Sequence, residues 1–191
     1  MSGPICLTGH RVGIIFFCGI KHSGKTSLGT LVAKRMGYRC VDNDDLILSD
    51  RPEFPSIRQL YKAEGKEAFM AQEAASLESF LATKPEDTII SLGGGACDNT
   101  PLISLIQSSG EVVYLKVEQS VLLKRILKGG VPPFLDPLNV EGSFAELYTH
   151  RDALYGKLSD IVIELSPYAD INDTAHYLFS RLSEELQHGS Q

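Results

Sequence analysis

The chain has 191 residues, 43% of them hydrophobic and 22% charged, enough apolar material for the core of one domain and too much for a disordered chain. Eighteen basic residues against 24 acidic ones leave a net charge of −6, and no Lys/Arg cluster breaks that balance, so a nucleic-acid partner held through its phosphates is not expected. Cys6, Cys18, Cys40 and Cys97 form no C-x-x-C pair, which argues against a zinc ribbon or a redox dithiol and for reduced thiols in a cytoplasmic protein.

In chain order, the first eleven residues read as a loose end. Val12–Phe17 is a short apolar run. The stretch Val12–Ile20, following Arg11, resembles the apolar part of a signal peptide, but it leads into Lys21-His22-Ser23-Gly24-Lys25-Thr26 without the usual cleavage site, so a buried strand explains it better. No run approaches the roughly 20 apolar residues of a membrane span. Further strands are expected at Tyr38–Val41, Thr88–Leu92, Glu111–Val117 and Ile161–Leu165. Near-continuous Val, Ile, Leu and aromatic residues in three of these runs suit strands buried on both faces of a parallel sheet. Helical periodicity marks Lys25–Met36, Glu67–Ala82, Thr100–Ser108, Ser120–Lys128, Phe144–Leu158 and Ile171–Leu186, with Gly37 as a C-cap and Pro85 as a stop. The order βα-β-αα-βα-βα-βα predicts a three-layer α/β domain over residues 1–191. Gly129–Gly142, with Pro132, Pro133 and Pro137, reads as a loop or lid between two helices, and His188–Gln191 as a second loose end.

Three segments carry chemistry. Gly19-Ile20-Lys21-His22-Ser23-Gly24-Lys25-Thr26 matches G-x-x-x-x-G-K-[ST] between a predicted strand and a predicted helix. In that setting backbone N–H groups from Gly19 to Ser27 curl around a nucleotide phosphate at a helix N-terminus. Lys25 reaches the β- and γ-phosphates, and the Thr26 hydroxyl coordinates Mg²⁺. Next, Asp42-Asn43-Asp44-Asp45 closes the second strand. In an extended segment Asp42 and Asp44 point the same way, into the ligand crevice of such a sheet. One suits Mg²⁺ through water and the other a hydroxyl acceptor whose proton it helps remove; the alternative is a solvated N-cap cluster. Third, Ser91-Leu92-Gly93-Gly94-Gly95-Ala96 follows the third strand. Its glycines let a substrate lie against bare backbone, or they form a flexible turn.

Together with Glu64-Gly65-Lys66-Glu67-Ala68-Phe69, Glu73 and Arg151-x-x-x-Tyr155, these motifs occur in an order that resembles the shikimate kinase family, from about Gly13 to Leu165. The resemblance implies a three-layer P-loop kinase fold with a five-stranded parallel sheet in the order 2-3-1-4-5 and a closing lid. It also implies transfer of the ATP γ-phosphate to the 3-hydroxyl of shikimate, with Mg²⁺ as cofactor. On that basis Lys21, His22, Ser23, Gly24, Lys25, Thr26 and Ser27 join Gly19 in binding ATP, and Lys25 and Asp44 are catalytic. Thr26 and Asp42 serve the metal; Asp44, Gly93, Gly94, Gly95 and Arg151 face the acceptor, Arg151 on its carboxylate.

The sequence departs from the family pattern in three places. His22 stands at a customary glycine. Met70 replaces an arginine that grips the acceptor carboxylate. Pro132-Pro133-Phe134-Leu135 aligns with a stretch that normally begins Arg-Pro, and Gly129–Gly142 contains no Lys or Arg. Lys66, four residues before Met70 on the same helical face, is a candidate replacement cation, as are Lys124, Arg125 and Lys128 beside the lid. The alternatives are a kinase for another small hydroxylated acceptor, or a nucleotide-binding protein with little catalysis. No exposed heptad seam argues for an oligomer, so a monomer is expected. Ser166-Pro167-Tyr168 is where an adenine contact would form, and Cys97 reads as a packing residue.

Overall fold

The computed structural model describes residues 13–128, 130–131, 135–166 and 170–188. Its centre is β1 (Ile14–Cys18), in which Ile15, Phe16, Phe17 and Cys18 are all fully buried. Successive strand residues point to opposite faces, so an unbroken buried run means that helices cover both sides of the sheet. Around β1 lie β2 (Arg39–Asp42), β3 (Thr88–Ser91), β4 (Glu111–Val117) and β5 (Ile161–Leu165). All pairings are parallel and the spatial order is β2-β3-β1-β4-β5, as the resemblance implied.

The helices are α1 (Lys25–Met36), α2 (Asn43–Asp50), α3 (Ile57–Ala82), α4 (Thr100–Ser109), α5 (Gln119–Leu127), α6 (Val140–Leu158) and α7 (Ile171–His188), with a short 3-10 turn at Ala96–Asp98. Local chemistry sets their ends. Gly37 closes α1 at φ 75°. Asn99 caps α4, which carries Pro101 in its first turn, and Asn139 caps α6. One core unites the strands with α1, α4, α5, α6 and α7; it includes Leu28, Val32, Leu102, Ile126, Phe144, Tyr155 and Leu178.

Four expectations need correction. The apolar run Ile161–Leu165 is not buried on both faces: β5 is an edge strand, and Val162 and Glu164 are exposed. Asn43–Asp50 is helical, and Asp42 is its N-cap, accepting from Asp44 N at 3.0 Å. Asp44 is therefore not part of an extended segment, and strand alternation is not what aims it. The α3 helix begins at Ile57, ten residues before the expected Glu67, because its opening turns are largely exposed and lack an apolar stripe. At Gly65 its backbone turns to φ 83°, ψ 179°. A side chain is strained at that positive φ, so the glycine lets the helix restart at a new angle. The α6 helix begins at Val140, inside the expected lid, because Asn139 starts it one turn early. Of that lid, Gly129 and Pro132–Phe134 lie outside the described residues, as do residues 1–12, 167–169 and 189–191 with the readings placed on them. Leu135 is buried against the core.

Candidate active site

A cavity of about 470 Å³ opens where the C-terminal ends of β1, β2 and β3 meet α1 and α3, a size suited to small-molecule ligands. It brings together Lys21, His22, Gly24, Lys25, Thr26 and Ser27 from the glycine-rich loop, Asp42 and Asp44 from the β2–α2 junction, Gly93, Gly94 and Gly95, and Arg151 from α6. Gly19 and Ser23 do not line it. The carbonyl of Gly19 accepts from Lys25 Nζ at 2.8 Å, and that of Ile20 accepts at 3.3 Å. Ser23 Oγ is buried without a partner among the described residues.

The loop is shaped by close approaches. A Cβ on Gly94 would lie 2.8 Å from the backbone nitrogen of Lys21, so only glycine lets the β3 loop pack against the phosphate loop. His22 adopts φ 67°, a left-handed conformation that costs a side-chain-bearing residue about 1 kcal/mol or more. Its carbonyl accepts from Arg125 Nη1 at 3.1 Å, which ties α5 to the loop across 103 residues of sequence. Sequence reasoning placed Arg125 only beside the lid.

Lys25 is buried. Burial, foremost, lowers its pKa to about 8, against opposing pulls from Cys18, Asp42 and Asp44. Burial also lowers His22, and the positive charges of Lys21, Lys25 and Arg125 lower it further. Thr26 Oγ1 donates to Asp42 Oδ2 at 2.5 Å and lies 3.1 Å from Ser91 Oγ. A hydroxyl beside a carboxylate is a hard oxygen pair of the kind Mg²⁺ takes, the remaining positions being left to phosphate and water. No cluster of three or more His, Cys, Asp or Glu side chains suited to a metal occurs among the described residues.

At the other end, Asp44 faces the glycine triad, its Oδ1 lying 3.7 Å from where a Gly93 Cβ would be. Burial first, then the charge of Asp42, raises Asp44 to about 6. Arg151 Nη1 donates to Gly94 O at 2.8 Å, and Nη2 to Asp98 Oδ2 at 2.9 Å. That pairing explains why Arg151 sits in the wall and not out in solvent. Tyr155, one turn further along α6, is fully buried and donates to Gly93 O at 3.4 Å. Cys97 is buried, as a packing residue would be.

The α3 helix closes the cavity with Ile57 and Tyr61 before the Gly65 kink and Lys66, Phe69, Met70 and Glu73 after it. Lys66 and Met70 therefore share the wall, as their spacing suggests. Lys66 makes no hydrogen bond or ion pair among the described residues. Glu73 carries no role in the sequence reading beyond its place in a motif, yet it is 3% exposed and held by Asn99 Nδ2 at 2.8 Å. Nothing local in the sequence signals that contact.

Comparison with known proteins agrees with this geometry. The shikimate kinase family profile matches residues 21–181. A shikimate kinase of Chlorobium chlorochromatii is 35% identical over 159 residues, covering 79% of this chain and 81% of its own. One from Chlamydia pneumoniae is 32% identical over 174 residues, covering 90% and 96%. Among solved structures, the Acinetobacter baumannii shikimate kinase in complex with shikimate superposes with a TM-score of 0.78 at 25% identity, covering 91% of this chain and 94% of that one. A gluconokinase from Sinorhizobium meliloti 1021 shares the fold, with a TM-score of 0.59 at 21% identity. With its parallel sheet, its phosphate loop and its profile match, the chain belongs to the shikimate kinase family, whose members are ATP-dependent kinases acting on a hydroxyl group.

Proposed function

We propose that this protein transfers the γ-phosphate of MgATP to the 3-hydroxyl of shikimate. The observation that carries the reading is the juxtaposition in one cavity of a phosphate loop and a raised carboxyl, Asp44, across from a bare glycine wall.

The roles follow from the contacts. Lys25 is held by two loop carbonyls in a water-poor setting, where a fixed cation does most to stabilise charge on a transferring phosphoryl group. Burial lowers its pKa, and a phosphate anion beside it would favour the charged form. Lys21, His22, Gly24, Thr26 and Ser27 surround the same phosphates. Thr26 and Asp42 would hold Mg²⁺, which would supply positive charge to offset that of the phosphates. Asp44 accepts a hydrogen bond from the acceptor hydroxyl and takes its proton as the oxygen attacks. A carboxyl raised to about 6 is a better base than an ordinary aspartate, yet stays ionised at neutral pH. Gly93, Gly94 and Gly95 let the acceptor lie flat on backbone, and Arg151 offers its remaining N–H groups to the acceptor carboxylate. Lys66, on the same wall and without a partner among the described residues, supplies a second cation where Met70 has none.

One observation favours a second reading. The acceptor wall carries Met70 and two raised carboxyls, Asp44 and Glu73, which suits a different small hydroxylated acceptor or one bound another way. An ADP-release assay with MgATP separates the readings when run with shikimate, quinate, gluconate or no acceptor. Turnover that requires shikimate supports the first. Turnover only with gluconate or quinate replaces it, and ADP binding without turnover leaves a nucleotide-binding protein.

A further inference from the structure

Glu73 differs from the other acidic side chains of the cavity in having almost no contact with water and no cation. It is 3% exposed, and its Oε1 lies 3.0 Å from where a Cβ on Gly93 would stand, against the glycine wall. Oε2 accepts from Asn99 Nδ2 at 2.8 Å. The same amide nitrogen donates to Met70 O at 2.8 Å, so both of its hydrogens are committed and neither is left for Oε1. One turn back along α3 stands Met70, which is apolar. Lys25, Lys66, Arg151, Asp42 and Asp98 line the same cavity, but none is paired with this carboxyl among the described residues. The charge that acts on it is that of Asp44 on α2, a second carboxyl.

An ionised Glu73 would be a buried anion with one donor, facing another anion. Burying an unpaired charge is costly, so this environment favours the acid form. Burial and Asp44 together outweigh the Asn99 bond and bring the carboxyl to about 7. Because Oε2 is already an acceptor, the proton sits on Oε1, the oxygen that faces the wall where the acceptor lies.

We propose that Glu73 acts as a neutral carboxylic acid whose Oε1–H donates a hydrogen bond to an oxygen of the bound acceptor, so that the wall between Met70 and Gly93 grips its substrate with a proton. It is a positioning and specificity residue, and the inference rests on the acceptor reading given above. Acceptors that present an anionic or hydroxyl oxygen to Oε1 bind well; ones that present a donor or a methyl group there do not, because the buried acid is then left unsatisfied.

The test is the pH dependence of KM for shikimate and for MgATP between pH 6 and 9. If only the acid form binds acceptor, KM for shikimate stays level to about pH 7 and then rises about tenfold per pH unit, while KM for MgATP shows no break there. Lys25, lowered to about 8, acts on the ATP parameters and on kcat and so is distinguished. Glu73→Gln, whose amide donates at every pH, should keep the low KM and lose the rise. A level KM for shikimate through pH 9, or a rise that survives in Glu73→Gln, overturns the proposal. Should that variant not fold, ¹³C-carboxyl NMR of glutamate-labelled wild type decides. A glutamate titrating near pH 7 that moves upward when shikimate is added supports the assignment, and titration of every glutamate below about pH 5.5 overturns it. Absence of shikimate turnover at all pH values would instead fail the acceptor reading, with the carboxyl titration still deciding the state of Glu73.

Discussion

The two ends of the cavity carry opposite frustrations. At the nucleotide end Lys21, His22, Lys25 and Arg125 crowd around one loop; burial pushes Lys25 toward its neutral form, and burial with repulsion from Lys21, Lys25 and Arg125 pushes His22 the same way. At the acceptor end Asp44 and Glu73 are buried near each other, and both are pushed toward their acid forms. The first end is built from one short stretch, its loop closed by Lys25 on the carbonyls of Gly19 and Ile20. The second is assembled from α2, α3, the glycine triad and α6. A polyanionic nucleotide relieves the first end directly. On the proposed reading, the second end would be relieved by protons and by hydrogen bonds from a neutral hydroxyl, with Arg151 and Lys66 left to meet a carboxylate. The cavity therefore suits two chemically different ligands, and the boundary between them is where a phosphoryl group would pass.

The largest expected effect breaks the nucleotide end. Lys25→Ala should lower kcat by about 10³-fold, since it removes a fixed cation from a water-poor site, with the KM for acceptor nearly unchanged; steady-state kinetics would show it. Asp44→Asn comes next, at about 10²-fold in kcat. The wild-type pH profile sharpens that prediction. A base raised to about 6 must be deprotonated to work, so kcat should fall as pH drops through 6, about tenfold per unit below it, and the residual activity of Asp44→Asn should lack that limb.

A smaller effect separates the two ends. Lys66→Ala should raise KM for shikimate by about tenfold, the weight of one hydrogen bond to a charged group, and leave KM for ATP unchanged. Equal effects on the two substrates would return Lys66 to the solvated face of α3. The smallest effect concerns the loop itself. His22→Gly relieves a left-handed side chain at some cost in unfolded-chain entropy. Denaturant unfolding should show a net gain of no more than about 1 kcal/mol. ADP affinity should become less dependent on pH in the range where histidine titrates. Destabilisation on removing the side chain would mean that His22 is held by contacts that outweigh its backbone strain.

Much of the nucleotide end was legible in the sequence because its determinants are local. A buried strand, a glycine-rich turn and a helix start follow one another within Ile14–Met36, and the run of apolar residues in β1 and β4 reports burial on both faces. Lys66 and Met70 were placed together by helical spacing alone. The acceptor end was legible in its residues and less so in its geometry. Asp44 reaches the cavity from the first turn of a helix that only eight residues form, too short and too polar to show a period. The opening of α3 was missed because it packs little apolar surface. The burial of Glu73 depends on Asn99, 26 residues away, and the hold of Arg125 on His22 spans 103; neither leaves a trace in any local window. The lid stretch lacking arginine is plain in the sequence, but Pro132–Phe134 lie outside the described residues.

The most direct test of the account is the identity of the phosphorylated product. The protein is incubated with MgATP and shikimate and followed by ³¹P NMR, with Lys25→Ala as control. The account predicts a phosphomonoester resonance coupled to the proton at carbon 3 of shikimate, growing in step with ADP and absent from the control. Release of ADP with inorganic phosphate alone, or no consumption of ATP in the presence of shikimate, would contradict it.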